Sequence, residues 1–305
     1  MDELYDIIII GAGPAGITAA VYAARKQMKL LVLTGDIGGQ TAWSGNIENY
    51  TGYQFISGMD LTMKFQEHMD KYGITVRENE EVTDIGKEDD IVVIKTGKGT
   101  YRAKTALISS GKRSMELGVP GEKEFRNRGV TYCATCDGPL FKGKDVAIAG
   151  GGNSALDAAL QLIKIGNRIF IINIAPGLTG DPVMSRKVME SGKAEVLNNS
   201  RVTEITGDTL VRKIKVLKDG EEREIPVEGV FVEIGLIPNS AFARGIDKNE
   251  SGEIRVNSYN ETNLPGIFAA GDVTDVPEKQ IIIAAGEGAK ASLVAFRYIS
   301  RLKDK

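Results

Sequence analysis

Apolar positions along this chain alternate between strand-like runs and helix-like spacing. Tyr5–Ile10 is a short β-branched run, as in a strand buried on both faces of a parallel sheet. Ile17–Gln27 continues as an alanine-rich helix, and Lys29–Thr34 returns to a strand, so the start of the chain predicts a βαβ unit. Leu61–Tyr72 has the spacing of an amphipathic helix. It carries the only histidine, His68, among Glu67, Asp70 and Lys71, which reads as a solvated surface position. From Ile74 to Ile108 the pattern changes to short strands, with turns at Gly86–Asp89 and Gly97–Gly99. The last of them, Lys104–Ile108, runs into Ser109-Ser110-Gly111, and Ser114–Gly121 reads as a linker.

The same order then recurs. Asp145–Ala149 is a strand, Ser154–Ile165 a helix and Arg168–Asn173 a strand. A strand-rich insert follows from Val202 to Pro226, and Gly229–Ile234 enters Gly235-Leu236-Ile237-Pro238-Asn239. After a second crossing near Ser240–Gly245 no third unit begins. Glu253–Val256 and Gly266–Ala270 predict strands and Gln280–Leu302 a helix, read as returning to complete the first domain. The expected architecture is α/β, with one domain (114–244) inserted into another (1–113 and 245–305), each carrying a small antiparallel β insert. Two linkers joining an inserted domain suit hinge rotation.

Composition narrows this picture. A length of 305 residues supports two hydrophobic cores, and the 36 glycines are the one excess. A net charge of -3 argues against nucleic-acid binding, which calls for a basic patch. Two cysteines three positions apart form no structural framework, which points to a reducing, cytoplasmic setting. Ile7 to Ala24 is an uncharged run of eighteen residues, close to the length of a membrane span. Asp2, Glu3 and Asp6 precede it where a signal peptide carries positive charge, and Gly-Ala-Gly-Pro interrupts it, so it reads as strand, turn and buried helix.

Candidate chemistry sits at three places. Gly11, Gly13 and Gly16 fall at G-x-G-x-x-G spacing between a strand and a helix. There the backbone can approach a dinucleotide pyrophosphate, and the helix N-terminus supplies N–H donors. Gly150, Gly152 and Ala155 repeat the arrangement in the second domain, a Rossmann-like pair. An acid about 20 positions beyond the first turn should hold a ribose; the strand ends at Thr34-Gly35 and Asp36 lies just past it. Gly38-Gly39-Gln40 and Asn49-Tyr50 form a polar loop able to run along an extended cofactor. The third place is Cys133-Ala134-Thr135-Cys136-Asp137-Gly138, which holds both cysteines. A C-x-x-C pair can shuttle two electrons through a disulfide. A zinc site needs about four ligands, which this chain does not offer, and a purely structural disulfide over so short a loop constrains little.

Over nearly its whole length the chain resembles the low-molecular-weight thioredoxin reductases. The resemblance is carried by Gly11–Gly16, Gly38-Gly39-Gln40, Cys133–Gly138, Gly150–Ala155, Gly235–Asn239 and Ala270–Val273 followed by Lys279-Gln280. The tail Lys279–Gly288 also resembles the flavoprotein component of alkyl hydroperoxide reductase. This resemblance implies FAD in the first domain. Gly11, Gly13, Pro14, Ala15, Gly16, Gly39, Gln40, Asn49, Gly111, Gly271, Asp272, Lys279, Gln280 and Ile281 would line it, with Asp272 on the ribityl chain. It implies NADH or NADPH on Gly150, Gly152, Asn153, Ser154, Ala155, Asn173 and Gly235 in the second domain. Cys136 would face the flavin, Cys133 would attack the partner's disulfide, and Asp137 would serve as acid or base. Thioredoxin or a glutaredoxin-like protein would be the partner, in a homodimer with no metal, nucleic acid or membrane.

One stretch departs from that pattern. NADPH-dependent members place a His-Arg-Arg cluster after the second strand of the inserted domain, to pair with the 2′-phosphate. Here the run is Asn173-Ile174-Ala175-Pro176-Gly177-Leu178-Thr179-Gly180, without positive charge, while Arg186 and Lys187 lie further on as a solvated helix face. This predicts weak discrimination or a preference for NADH, and leaves open a non-nicotinamide donor. Three readings of function therefore stand: a thioredoxin-type disulfide reductase, an NADH oxidase or reductase of the alkyl hydroperoxide type, and a flavin-bearing redox sensor without turnover. The intact donor-site glycines and the two-linker layout disfavour the third.

Overall fold

The computed structural model describes residues 3–42, 46–47, 49–132 and 134–303, with backbone alone at 46, 135, 136 and 303. The chain divides into two compact units, Met1–Arg113 with Ile237–Lys305, and Ser114–Leu236.

The first unit begins β1 (Leu4–Ala12), α1 (Pro14–Arg25), β2 (Leu30–Ile37). Two short strands, β3 (Asn46–Ile47) and β4 (Ile56–Ser57), precede α2 (Gly58–Lys71), and β5 (Val76–Arg77) follows it. The insert is β6 (Val82–Glu88) and β7 (Ile91–Thr96), antiparallel, leading into β8 (Thr100–Ile108) and then β9 (Lys112–Ser114). The second unit contains β10 (Val130–Thr131), α3 (Ala134–Asp137), β11 (Val146–Ala149), α4 (Asn153–Ile165) and β12 (Ile169–Ile172). It continues with α5 (Pro182–Glu190), β13 (Ala194–Leu197), the meander β14 (Ser200–Gly207), β15 (Val211–Lys218), β16 (Glu221–Pro226), then β17 (Gly229–Val232) and β18 (Leu236–Pro238). The first unit closes with β19 (Ile267–Ala269) and α6 (Ile281–Lys303).

The repeat seen in sequence is a repeat in space. In the first unit the order runs β5-β2-β1-β8-β7-β6, with β19 also on β8; in the second it runs β10-β17-β11-β12-β13. β1 pairs in parallel with β2 on one side and β8 on the other, as β11 does with β12 and β17. β11 is wholly apolar and β1 is apolar from Ile7 to Ile10, because both faces are covered there. Ile7 and Ile9 meet the α1 and α6 side, while Ile8 and Ile10 pack with Ile85, Val92 and Ile254 on the other. In the second unit α4 covers one face of the sheet and the β14–β16 meander the other. The uncharged run from Ile7 is thus strand, turn and buried helix, and among the described residues no helix is long and apolar enough to cross a membrane.

Two expected elements differ. β2 continues through Asp36 to Ile37 instead of ending at Thr34-Gly35, because a register shift in β1 lets Ala12 pair with Ile37. Glu253–Val256 is not a strand: only Ile254 bridges, to Lys248 and Thr274. Its neighbours are held by side chains instead. Asn249 Oδ1 accepts from the N–H groups of Ser251 and Glu253, an Asx turn that bends the chain out of any ladder.

Glu253 also ties distant segments of the first unit together. Its carboxylate lies 2.7 Å from Lys112 Nζ and 3.1 Å from Lys279 Nζ, and accepts from Asn249 Nδ2 at 2.6 Å. Burial alone would raise its pKa, but Lys112, Asn249 and Lys279 outweigh that and bring it down to about 2. A depressed carboxylate stabilises the fold above its ordinary value of 4.5, and that contribution is lost as pH falls through about 2. Glu253→Gln should therefore cost about 2 kcal/mol at neutral pH, in a three-member half-buried ion cluster. In urea titrations the difference from wild type should narrow steadily once pH falls below 4.5.

The other dependence is steric. A Cβ on Gly288 of α6 would stand 1.9 Å from the carbonyl oxygen of Ala15 in α1, so the two helices touch backbone to backbone. Gly288→Ala should lower stability by about 3 kcal/mol. Gly286, two positions earlier in the same helix, faces open space. Gly286→Ala should instead be neutral or stabilising by up to about 1 kcal/mol, and the pair compared by thermal melting separates helix propensity from crowding.

Candidate active site

The first glycine turn is built by an unusually close approach of two strand ends. Gly11 has φ +102°, and a Cβ there would lie 2.5 Å from the carbonyl oxygen of Ser109, the residue after β8. A Cβ on Gly16 would lie 1.8 Å from Gly11's own carbonyl oxygen, so α1 can begin this near the strand only with glycine at that position. Ser109 completes the corner: its N–H donates to Ile10 O at 2.8 Å, and its Oγ lies 3.0 Å from both the Ile10 and Gly11 carbonyls. Gly13 is the N-cap of α1, with no side chain capping the helix, no acid in its first turn and nothing crowding it. The exposed N–H groups and partial positive charge of α1 are left facing outward, an anion-binding arrangement.

The residues predicted to line that cofactor lie in the same unit. Gly39 begins a short 3₁₀ turn whose would-be Cβ is 3.7 Å from Gly13 Cα. Gln40 Nε2 donates to Lys112 O at 3.3 Å, and Asn49 Nδ2 donates to Gln280 Oε1 at 3.0 Å across 231 positions of sequence. Gly111 lies just past β8 with φ +63°. Gly271, φ +76°, follows β19 and its would-be Cβ is 3.0 Å from Ala15 Cβ, while Pro14 opens α1 and Ile281 opens α6. Lys279 joins the Glu253 cluster. Asp272 is half-buried with no hydrogen-bond partner among the described residues; burial raises its pKa, against the opposing pull of Lys279 and Lys112. Asp36, by contrast, lies within β2.

The second turn repeats the geometry. Gly150, φ +137°, would place a Cβ 2.2 Å from the carbonyl oxygen of Glu233, the residue after β17. Gly152 caps α4 without a side-chain bond, and Ser154 and Ala155 lie in its first turn. Asn153 Oδ1 accepts from Asp181 N at 2.7 Å, tying the loop before α5 to the turn. Gly235, φ +116°, follows β17. Asn173, expected among the residues that hold the nicotinamide nucleotide, is engaged by its own loop. It is buried, its Nδ2 donates to Ala175 O at 3.1 Å, Gly177 O at 2.9 Å and Asn198 Oδ1 at 2.9 Å, and its Oδ1 accepts from Ala175 N. Its polar atoms organise the loop, and a Cβ on Gly151 would strike its Oδ1 at 2.3 Å.

Of the dithiol, Cys133 lies outside the described residues, and Cys136 is described by its backbone in α3. Asp137 ends α3 and accepts a hydrogen bond from Thr131 Oγ1 of β10. Ala134 is buried in the apolar layer shared with α4. His68 is exposed on α2 beside Tyr72.

Sequence reasoning missed three acids. Glu287, buried in α6, accepts from Gly271 N at 3.0 Å and so fixes the Gly271-Asp272 turn. Glu122, fully buried, accepts from Leu117 N and Gly118 N at 2.7 Å and from Tyr132 OH at 2.8 Å, holding the segment that enters the second unit against the residue before Cys133. Glu233 accepts from the N–H of Ala134. Only Glu233 carried a signal: aligning the two repeats sets it opposite Ser109, a glutamate where the first unit has a small hydroxyl.

Comparison with known proteins agrees with this geometry. The family model described as pyridine nucleotide-disulphide oxidoreductase matches residues 5–288. The chain is 40% identical over 302 residues to an NADH dehydrogenase of Bacillus subtilis, covering 98% of this chain and 59% of that protein. It is 39% identical over 303 residues to one component of the alkyl hydroperoxide reductase of Staphylococcus aureus, covering 98% of this chain and 60% of the relative. The chain thus spans about three-fifths of the length of the curated relatives it matches. Among solved structures, the thioredoxin reductase of Lactococcus lactis in its FR conformation matches with TM-score 0.87 and 36% identity, covering 97% of this chain and 99% of that one. Such enzymes are flavoproteins dependent on FAD and NAD(P)H. With a thioredoxin reductase-like fold and that match across nearly its full length, the chain belongs to the pyridine nucleotide-disulphide oxidoreductase family.

Proposed function

We propose that the chain is a thioredoxin-disulfide reductase, passing electrons from NADH or NADPH through FAD and Cys133–Cys136 to the disulfide of thioredoxin or a glutaredoxin-like protein. The observation that carries this reading is the C-A-T-C-D-G string in the same unit as the Gly150 turn, in a chain whose other unit holds a second such turn.

The residues present fit the two nucleotides. The open, uncapped N-terminus of α1 and the glycine cradle suit the pyrophosphate of FAD, and the unpartnered carboxyl of Asp272 suits a ribityl hydroxyl. Gln280, bonded to Asn49, stands just before α6. The chemistry supplied by bound FAD is the conversion of a two-electron hydride into a reduced dithiol. Gly150, Gly152, Ser154 and Ala155 support a nicotinamide dinucleotide at the N-terminus of α4.

In turnover the Cys133 thiolate attacks the partner's disulfide, forming a mixed disulfide and expelling one partner thiolate. The Cys136 thiolate then attacks the Cys133 sulfur, closing the internal disulfide and releasing the second partner sulfur. Asp137, held by Thr131, moves protons for these thiols. The two covalent crossings, at Arg113–Ser114 and Leu236–Ile237, allow the second unit to turn and present donor site and dithiol alternately. Paired cysteines of this kind suit a reducing cytoplasm, and a homodimer is the assembly the resemblance implies.

A second reading is an NADH-linked reductase of the alkyl hydroperoxide type, or an NADH oxidase. It is supported by the names of the relatives and by the loop from Ile174 to Gly180, which bears no cation to pair with a 2′-phosphate. Asp181, beside it, places an acid at the cap of α5, accepting from Val183 N at 2.7 Å and Met184 N at 3.1 Å.

Steady-state reduction of a disulfide acceptor should show kcat/KM at least about tenfold higher with NADH than with NADPH, because an unpaired phosphate forfeits a charge-assisted bond. A higher value with NADPH would overturn the donor assignment. Under anaerobic conditions NADH should bleach the flavin of the wild-type and Cys136→Ser proteins alike. Only the wild type should then reduce thioredoxin, with the variant slower by about a thousandfold or more. Undiminished disulfide reduction by Cys136→Ser would sink the dithiol mechanism, and undiminished NADH oxidation in air together with weak thioredoxin reduction by the wild type would favour the second reading.

A further inference from the structure

Three charged side chains of the first unit stand among the segments proposed to hold FAD. Lys112 follows Gly111, Lys279 precedes Gln280, and Glu253 comes from the chain between them. Lys112 Nζ lies 2.7 Å and Lys279 Nζ 3.1 Å from the same oxygen, Glu253 Oε1, while Oε2 accepts from Asn249 Nδ2 at 2.6 Å. Their side chains are 12, 22 and 14% exposed respectively, so water screens them only in part. Each is also bonded into a proposed FAD segment, directly or through its neighbour. Lys112 O accepts from Gln40 Nε2 at 3.3 Å. Lys279 Nζ donates to Thr274 O, and Thr274 closes the turn that carries Asp272 by donating to Gly271 O from its N at 2.9 Å and its Oγ1 at 2.8 Å. Ile254, next to Glu253, donates to Val273 O and accepts from Asp275 N, both at 2.9 Å.

A tie between distant segments needs one cation and one carboxylate. Here a second ammonium converges on the same oxygen, against the repulsion of the first, and the cluster keeps one positive charge in excess. Among the described residues Glu253 is the only acid paired with either lysine. The other acids of the 271–287 segment that make hydrogen bonds spend them on backbone: Asp275 Oδ1 accepts from Val256 N at 3.1 Å and Glu287 Oε2 from Gly271 N at 3.0 Å. Asp272 senses all three members of the cluster, the lysines favouring its ionised form and Glu253 opposing it. An excess positive charge held in a partly desolvated place favours whichever state of a neighbouring group carries more negative charge. A flavin is such a neighbour, because its reduced ring carries more negative charge than its oxidised one.

We propose that the Lys112–Glu253–Lys279 cluster sets the reduction potential of the bound flavin, with Glu253 as the positioning residue that gathers both ammonium groups and limits their charge to one in excess. The lysines favour the reduced ring, and the glutamate moderates that preference. Removing the glutamate leaves two cations uncompensated and makes the flavin easier to reduce. Removing a lysine cancels the excess and makes it harder to reduce. Electron transfer itself remains with the nucleotides and the cysteines.

The proposal rests on the FAD reading above, and its test reads an equilibrium instead of turnover. With both cysteines replaced by serine, the FAD-loaded protein keeps the flavin as its one redox group. Its equilibrium with a reference dye of known potential is followed by absorbance during slow anaerobic reduction at neutral pH. In that background Glu253→Gln should shift the equilibrium toward reduced flavin by about threefold to tenfold, and Lys112→Gln toward oxidised flavin by a similar factor. The double variant again holds one positive charge in excess and should return to within about twofold of the parent, although it has lost the ion pair. Both single variants loosen the same cluster, so a merely structural tie would not move the two equilibria in opposite directions. Shifts of the same sign, no shift in either variant, or a double variant no nearer the parent than the single ones would overturn the proposal. Lys112→Gln decides by its sign alone if Glu253→Gln fails to retain flavin. Failure of the FAD reading would appear earlier, as a parent protein that takes up no FAD, and would end both.

Discussion

The structure depends on one kind of contact, made twice: the meeting of two adjacent parallel strand ends at a glycine with positive φ. At Gly11 and again at Gly150, a neighbouring carbonyl oxygen occupies the space a side chain would need, 2.5 Å away in one case and 2.2 Å in the other. This lets a helix start immediately beyond the strand, with no side chain capping its first N–H groups. Everything that could bind an extended anionic cofactor follows from that close approach, because donors and helix dipole end up at the crevice where strand order reverses. The surroundings must in turn be small or well anchored. Gly288 against Ala15 and Glu287 on Gly271 N are the first unit's answer.

The two units solve the same backbone problem with different side chains, and the differences mark their tasks. In the first unit the flanking residue is a serine turned inward, and Lys112 and Lys279 both pair with Glu253. In the second the flanking residue is Glu233, directed at the start of the dithiol-bearing helix, and the loop after β12 is stitched by Asn173 and Asn153 in place of any cation. An asparagine so fully engaged from inside is a scaffold for its loop. The loop from Ile174 to Gly180 that it organises carries no charged side chain.

Much of this was legible from the chain alone. The apolar runs at Tyr5–Ile10 and Asp145–Ala149, each followed by spaced glycines and an alanine-containing helix, announce buried parallel strands and nucleotide turns, since burial on both faces removes any alternation. The repeat, the antiparallel inserts and the surface position of His68 could be read in the same way, from local periodicity. Less legible were features whose cause lies far away in sequence. β2 runs on to Ile37 because of a register shift in β1, Glu253–Val256 loses its ladder to an Asx turn at Asn249, and Asn173 is buried by the loop it organises.

Sequence by itself thus determined the elements, their duplication and the types of chemistry the chain can carry, because spacing and side-chain type are local properties. Tertiary structure decided which groups share an environment. Asn49 and Gln280 meet across 231 positions, and Lys112, Glu253 and Lys279 form one cluster from three segments. Glu233 stands opposite Ser109 when the repeats are aligned, but only the fold buries it, and that burial pushes its carboxyl up to about 8. Burial and long-range pairing set such properties, and neither is written in any local stretch of residues.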